Sequence, residues 1–221
     1  MSLPLTSQDR RHRRRAETIE QIIDIAIDVM GEVGVAGLSL GEVARRMGMR
    51  TPSLYGYFAS KNDVYDAVFA RGWQELSATM ETVAEPDGAV NLSAYLLDLA
   101  ETFVRWTVAH PVYAELMNWR PVPGYNPSAQ AYAYAVEALE RGRAVLAELQ
   151  RLGLFRPDVA VDELLRTWTV LLSGVMTQQL ANAPEEPYES GTFTTMLPQL
   201  VAMYLAHYQP TPRRGRRADN R

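Results

Sequence analysis

Five side chains that can donate hydrogen bonds or stack follow a glycine-bearing turn at short spacing: Arg50, Thr51, Ser53, Tyr55 and Tyr57. Leu54 and Phe58, which lie among them, are apolar, so at helical spacing the polar set faces outward from a short helix. Helices with such a face contact phosphates and base edges when they enter the major groove of DNA. Many helical hairpins have no DNA partner, and the spacing alone leaves that alternative open.

The residues expected of an enzyme do not form a recognisable pattern. The three histidines, His12, His110 and His207, lie in three different segments, and Asp and Glu are scattered as helix-surface charges. The sequence has no cysteine, no H-x-x-x-H pair, no glycine-rich phosphate loop and no nucleophile elbow. We therefore predict a protein that is not an enzyme, with no catalytic residue, no cofactor and no metal site.

Two short helices are predicted to position the polar set. Ser39 is a good N-cap, and Glu42, three residues later, completes a capping box, which places the first helix at about 40–47. Gly48 follows where a residue with positive φ ends a helix.

The second short helix has its own start signal. Thr51 is predicted as its N-cap, with Pro52 at the first helical position, where the missing N–H costs nothing. Ser60 and Asp63 repeat the capping box at the start of a further helix. Two short helices joined by a glycine turn form the helix-turn-helix pattern.

The stretch from Leu38 to Lys61 resembles the DNA-binding domain of the TetR (tetracycline-repressor-like) family of bacterial transcription regulators. The residues that carry the resemblance are Leu38-Ser39-Leu40, Val43-Ala44, Gly48-Met49, Leu54-Tyr55, Phe58, Ser60-Lys61 and Val64. It covers about residues 15–70 strongly, and the remainder only by length and helical character. The resemblance implies an all-α fold, a homodimer, double-stranded DNA as a partner and a small-molecule effector.

The resemblance also assigns roles residue by residue. It implies backbone contacts for Ser39, Tyr55, Tyr57 and Lys61. It implies base-reading or groove-facing positions for Arg50, Thr51, Pro52 and Ser53. Arg50 departs from the family pattern, in which a small capping residue is common, and either reads guanine or holds a phosphate. Gly56 also departs, because a larger, often aromatic residue is common at that position.

Charge is unevenly distributed, although the chain as a whole carries a formal net charge of −4. Arginines, Arg14 among them, form a basic arm at 10–15, which is predicted to be flexible and to contact phosphates, the alternative being a solvated tail. Acidic residues predominate over 72–209. A second basic segment, 210–221, is predicted to be a disordered tail that serves solubility or tethers the protein to DNA.

The sequence divides into a DNA-binding domain at 1–71 and a helical domain at 72–209 for ligand binding and dimerisation. The last two long helices, at about 158–182 and 190–208, have broad apolar faces that suit a dimer interface or an intrachain core. The aromatic and soft side chains of the second domain, with a few polar ones, suggest a hydrophobic pocket, although each alone is more often a core residue than a ligand contact. The predicted ligand-binding residues are Phe103, Trp106, His110, Tyr113, Met117, Tyr132, Trp168, Met176 and Gln179.

These features together predict a ligand-responsive DNA-binding regulator. We expect a repressor that a small hydrophobic or aromatic effector releases from a palindromic operator. The alternatives are a small-molecule binding or interaction protein with a vestigial helix-turn-helix, or an activator without an effector. No apolar run approaches the roughly 20 residues that span a bilayer, so we expect a cytoplasmic protein.

Overall fold

The structure, a computed structural model, describes residues 7–86 and 90–211, and this part of the chain is all-α, as the sequence predicts. Its helices are α1 Ser7–Val33, α2 Leu40–Arg46, α3 Thr51–Leu54, α4 Lys61–Met80, α5 Leu92–Ala109, α6 Pro111–Asn118, α7 Ala129–Arg151, α8 Val161–Asn182 and α9 Leu197–Tyr208. Three 3-10 turns accompany them, at Val35–Gly37, Tyr188–Ser190 and Thr194–Met196. None of the described helices combines the length and apolar character needed to cross a membrane.

The sequence predicts a first helix over about 14–33, but α1 begins at Ser7. Residues 10–15, expected as a flexible arm, are part of α1, so the basic side chains project from a helix. Arg, Ala, Glu and Gln favour helix, and Arg13 pairs with Glu17 one turn later, 3.3 Å apart, which stabilises this end.

The turn between α2 and α3 closes as the sequence predicts. The Ser39 hydroxyl accepts a hydrogen bond from the Glu42 N–H at 3.4 Å, which caps α2. Gly48 adopts φ +66°, and Met49 N–H donates to the carbonyl of Ala44 at 3.0 Å while Gly48 N–H donates to that of Arg45. This pair of bonds is a Schellman motif, which satisfies the last carbonyls of α2.

The start of α3 differs by one residue from the prediction. Arg50, not Thr51, occupies the N-cap position, without a side-chain capping bond, because Ser53 N–H donates to the carbonyl of Arg50 at 2.8 Å. Thr51 is therefore the first helical residue. The second capping box is confirmed: Ser60 and Asp63 exchange bonds of 2.9 and 3.2 Å at the start of α4.

Two compact units make up the chain, and each combines segments that are distant in sequence. Unit 1 takes in the described residues up to Ala78 together with Ala109–Glu137. Unit 2 takes in Thr79–Val108 and the described residues from Ala138 onward. The functional division at about residue 71 stays a prediction, because compactness does not report what a segment binds. The predicted tail, 210–221, lies outside the described residues beyond Thr211.

Candidate functional site

The polar set after the glycine turn is held outward by an apolar anchor. Leu54 is completely buried and Phe58 nearly so, which fixes one side of α3 and the turn that follows it. The opposite side is exposed at Arg50, Ser53 and Tyr55, and half of the Tyr55 side chain (51%) is accessible. Among the described residues, no side chain pairs with Arg50. An unneutralised guanidinium beside a hydroxyl and a phenol can bind phosphates or base edges.

The other residues predicted to contact DNA differ in their exposure. Pro52 is exposed on α3, while Thr51 and Tyr57 are partly buried. Ser39 is exposed, but its hydroxyl is already engaged in capping α2. Arg14 is exposed on α1, and among the described residues its guanidinium has no partner.

Arg15 has a structural role that its place in a basic run did not reveal. Its guanidinium donates a hydrogen bond of 2.9 Å to the carbonyl of Gly56 and lies 4.9 Å from the centre of the Tyr57 ring. These contacts join α1 to the turn after α3, 41 positions later in the chain. Arg15 therefore orients the turn that carries Tyr57, and its charge remains exposed.

Lys61 is also bound within the fold. Its ammonium donates to the carbonyl of Ala36 at 3.2 Å and lies 5.4 Å from the centre of the Tyr65 ring. The hydroxyl of Tyr65 in turn donates to the carbonyl of Val35 at 2.8 Å, and burial raises its pKa to about 12. The start of α4 thus holds the 3-10 turn that precedes α2.

Two basic residues of α2, Arg45 and Arg46, are neutralised by carboxylates. Glu42 accepts hydrogen bonds from both Arg45 and Arg46, and these bonds lower its pKa to about 2. Arg46 also donates to Glu32 near the end of α1, at 2.7 Å. These arginines already have acidic partners, whereas Arg50 has none among the described residues and is available to an external anion.

A network around Arg71 connects three helices of unit 1. The Arg71 guanidinium donates to Asp24 on α1 at 2.5 Å and to Glu75 on its own helix at 2.7 Å. The hydroxyl of Tyr113 on α6 donates a hydrogen bond of 3.4 Å to the carboxylate of Glu75. Burial raises the pKa of Tyr113, and the negative charge of Glu75 raises it further. A displacement of α6 at Tyr113 would therefore be transmitted through α4 to α1.

Four of the predicted ligand-binding residues lie in unit 1. Tyr113 is buried, and with the half-buried Met117 it packs against Gly72: a Cβ at Gly72 would lie 2.8 Å from the Tyr113 ring and 2.6 Å from Met117 Sδ. The His110 ring centre lies 6.1 Å from that of Tyr113, and Tyr132 stacks on Phe69. A glycine is therefore what allows α4 and α6 to approach.

The other five lie in unit 2, mostly in packed positions. Trp168 is buried against Tyr204, with ring centres 5.2 Å apart, and Phe103 packs on the same apolar core. Trp106 and Met176 are buried as well.

Gln179 is fully buried, and backbone groups use its amide. Its Oε1 accepts from the N–H of Phe193 and of Thr194, at 3.0 and 3.3 Å, and its Nε2 donates to the carbonyl of Ala183 at 2.7 Å. Gln179 therefore fixes the connection between α8 and α9. A role for Gln179 in ligand binding stays a prediction, and these bonds argue against it because they already use the amide.

An open apolar groove of about 400 Å³ runs along α8 and α9 in unit 2. The residues that line it are Val170, Leu171, Gly174, Val175, Gln178, Phe193, Met196 and Leu200. Val170 is 71% exposed and Met196 42%, and Met203 nearby on α9 is 60% exposed. Apolar side chains this exposed are typical of a surface that another protein covers.

Metal ligands do not assemble in the part of the chain that the structure describes. No three His, Asp or Glu side chains of residues 7–86 and 90–211 are grouped so that they could hold an ion.

Comparison with known families gives two matches. Residues 22–68 match the family described as bacterial regulatory proteins, tetR family, and residues 96–212 match the family described as tetracyclin repressor-like, C-terminal domain. The second match alone covers more than half of the chain. The two matched segments contain the helix-turn-helix and α8 with α9, respectively.

Individual relatives are similar over part of their length. The HTH-type transcriptional regulator Rv1816 of Mycobacterium tuberculosis is 27% identical over 117 residues, which cover 52% of this chain and 50% of the relative. An HTH-type transcriptional regulator of Saccharopolyspora erythraea is 28% identical over 142 residues, covering 64% and 53%. The chain thus spans about half the length of the curated relatives that it matches.

Solved structures share the fold at low sequence identity. A protein of unknown function from Rhodococcus sp. RHA1 superposes with a TM-score of 0.72 at 19% identity, over 87% of this chain and 95% of that one. The regulator FadR of Bacillus subtilis, solved in complex with stearoyl-CoA, gives 0.67 at 15% identity, over 85% and 97%. At these identities the similarity shows the fold alone.

Proposed function

Because this chain belongs to the tetR family of bacterial regulatory proteins, we propose that it is a homodimeric repressor that binds a palindromic DNA operator. A small hydrophobic or aromatic effector releases it. Each protomer places α3 in the major groove of one half-site, and the two-fold axis of the dimer sets the spacing of the half-sites.

The observation that carries the proposal is the outward face of α3. Arg50, Ser53 and Tyr55 are exposed there, while Leu54 directly behind them is completely buried. Side chains on a rigidly anchored helix lose little conformational freedom on binding, so their contacts are available for affinity and specificity. Tyr55 is exposed to solvent, and its hydroxyl can donate a hydrogen bond to a phosphate of the DNA backbone.

The apolar groove along α8 and α9 supports the dimer. Val170 and Met203 stand exposed beside it, and a second copy would remove these side chains from water. Two copies related by a two-fold axis apply the same patch to itself, which makes the interface self-complementary.

The Arg71 network supports the coupling of effector to DNA. Tyr113 on α6 contacts Glu75 on α4, and Arg71 on α4 contacts Asp24 on α1. An effector that displaces Tyr113 changes the hydrogen bonds of Glu75. Because Arg71 binds both Glu75 and Asp24, the position of α1 changes as well. Linkage then requires that DNA lowers effector affinity by the factor by which effector lowers DNA affinity.

Iterated selection from random duplex DNA with the purified full chain tests the proposal. We expect enrichment of an inverted repeat whose two halves are separated by a whole number of helical turns. Failure to enrich any sequence would overturn the proposal in favour of a binding protein with a vestigial helix-turn-helix. A reporter gene that carries the selected site then gives the sign of regulation: lower expression with the protein present indicates a repressor, and higher expression an activator.

A further inference from the structure

The indole of Trp73 on α4 contains a buried donor without an acceptor. Its Nε1 is inaccessible to solvent and makes no hydrogen bond within the described part of the chain. Buried polar groups are nearly always paired, because an unpaired donor loses its bonds to water and gains nothing in return. A group of this kind calls for a partner that the described residues do not supply.

Aromatic rings connect this donor to the surface of unit 1. Phe69, one helical turn before Trp73, lies 6.3 Å from it between ring centres, at an interplanar angle of 59°. Tyr132 on α7 stacks on Phe69 at 6.5 Å and 22°, and 54% of its side chain is exposed. These three side chains, Trp73, Phe69 and Tyr132, form an aromatic row with an accessible end and a buried, unpaired donor.

We propose that the aromatic row binds a flat aromatic molecule whose hydrogen-bond acceptor pairs with Nε1 of Trp73. Ring faces favour a planar aromatic ligand by stacking or by edge-to-face contact. The single N–H selects ligands with one acceptor placed at the edge of the ring system. The assignment rests on the proposed function, because it gives the chemical class of the effector.

The absence of a free charge among the members of the row narrows the class of ligand further. The members of the row are uncharged, and Arg71, two residues away, is already bound to Asp24 and Glu75. A carboxylate buried beside uncharged groups would lose its hydration without a counter-ion. The acceptor is therefore a neutral oxygen, such as that of a ketone, a quinone or an ester.

A matched pair of probes tests the donor directly. 2-Acetylnaphthalene and 2-isopropenylnaphthalene have the same shape, but the second has a methylene in place of the carbonyl oxygen. Titration calorimetry of the full chain without DNA measures both dissociation constants. We expect the ketone to bind about fivefold more tightly, the factor that one net hydrogen bond provides. In Trp73→Phe this ratio should fall to about one, whereas Trp119→Phe, the same substitution at a partly exposed position after α6, should retain it.

A second measurement does not depend on the folding of Trp73→Phe. The chain has four tryptophans, so a wild-type sample labelled with nitrogen-15 at tryptophan gives four indole signals. Single changes of the other three to Phe identify the Trp73 signal by elimination. The ketone should shift this signal downfield and the alkene should leave it near its free position.

The proposal is overturned if both probes bind equally, if neither binds, or if the preference for the ketone survives in Trp73→Phe. It is equally overturned if the ketone shifts a different indole signal. Because the titrations contain no DNA, these outcomes are separate from those of the DNA selection. Probe binding without an enriched operator would leave the aromatic row as a ligand site of a protein that is not a repressor.

Discussion

The buried hydroxyl of Tyr65 donates a hydrogen bond of 2.8 Å to the carbonyl oxygen of Val35, 30 positions earlier in the chain. The bond joins α4 to the 3-10 turn that leads into α2, and Lys61 supports the same turn through Ala36. The helix-turn-helix is therefore held from α4 as well as from α1.

Replacing Tyr65 by Phe should destabilise the fold by about 1–2 kcal/mol, because the Val35 carbonyl stays buried and loses its donor. Denaturant unfolding of the full chain measures the change. Tyr57→Phe is the matched control, since no hydroxyl partner of Tyr57 is found among the described residues, and we expect a change within about 0.5 kcal/mol. Equal losses in the two variants would show that the Tyr65 bond contributes nothing.

Arg15→Lys should weaken DNA binding although it keeps the positive charge. Lysine cannot reproduce the guanidinium that bonds the carbonyl of Gly56 and lies over the ring of Tyr57, so the turn after α3 loses its support. We expect a loss of about fivefold, the equivalent of one hydrogen bond. Arg14→Lys, one residue away and without a partner in the described chain, should bind within twofold of wild type, a ~0.4 kcal/mol effect. Equal losses would mean that both arginines act only as charges on DNA.

The stability that Glu42 contributes should depend on pH. Its pKa in the folded protein is about 2, below the ordinary 4.5, because Arg45 and Arg46 bond its charged form. The contribution is therefore complete above pH 4.5 and is lost as the pH falls toward 2. Thermal unfolding should show the largest difference between wild type and Glu42→Gln near neutral pH, converging in acid. High salt should reduce the difference, since the pairs are accessible to solvent. A difference that is constant from pH 2 to pH 6 would contradict this assignment.

Val170→Glu should convert the proposed dimer to a monomer with little loss of folding. Val170 is 71% exposed beside the apolar groove, so the charge is hydrated in the monomer and would be buried in the dimer. Val33→Glu is the matched control, because Val33 is 59% exposed but lies at the end of α1. Sedimentation at micromolar concentration should give a monomer for the first variant and a dimer for the second. Wild-type protein that sediments as a monomer would remove the basis for a two-half-site operator.

Local signals explain which parts of the fold and site could be predicted from the sequence. The capping boxes at Ser39 and Ser60 involve residues three positions apart, and Gly48 marks a positive φ by itself. The start of α3 was wrong by one residue, because Thr51 resembles a cap until the backbone bond from Ser53 to Arg50 is known. The helical form of residues 10–13 is not predicted, because their charge outweighs their helix propensity in the interpretation of a basic arm.

Contacts between distant positions could not be predicted. The bonds of Arg15 to Gly56 and of Arg71 to Asp24 span 41 and 47 positions, and no spacing rule points to them. Trp73 was missed for a related reason, since only the packed structure shows that its Nε1 is buried and unpaired. Conversely, Gln179 looked like a polar group in a pocket because its bonds to Phe193 and Thr194 arise from the loop geometry.

The affinity of Arg50→Ala for the selected operator, measured beside that of Arg45→Ala, tests the central proposal most directly. Each variant removes one positive charge, and the two positions are five residues apart. Arg45 is already bound to Glu42, whereas Arg50 has no partner in the described chain. We predict that Arg50→Ala costs about 1–3 kcal/mol of binding free energy, and that Arg45→Ala changes it by less than about 0.5 kcal/mol. A loss confined to the operator assigns Arg50 to a base, and an equal loss on random duplex assigns it to a phosphate. Wild-type affinity in Arg50→Ala, or equal losses in the two variants, would contradict the proposal that the outward face of α3 binds DNA.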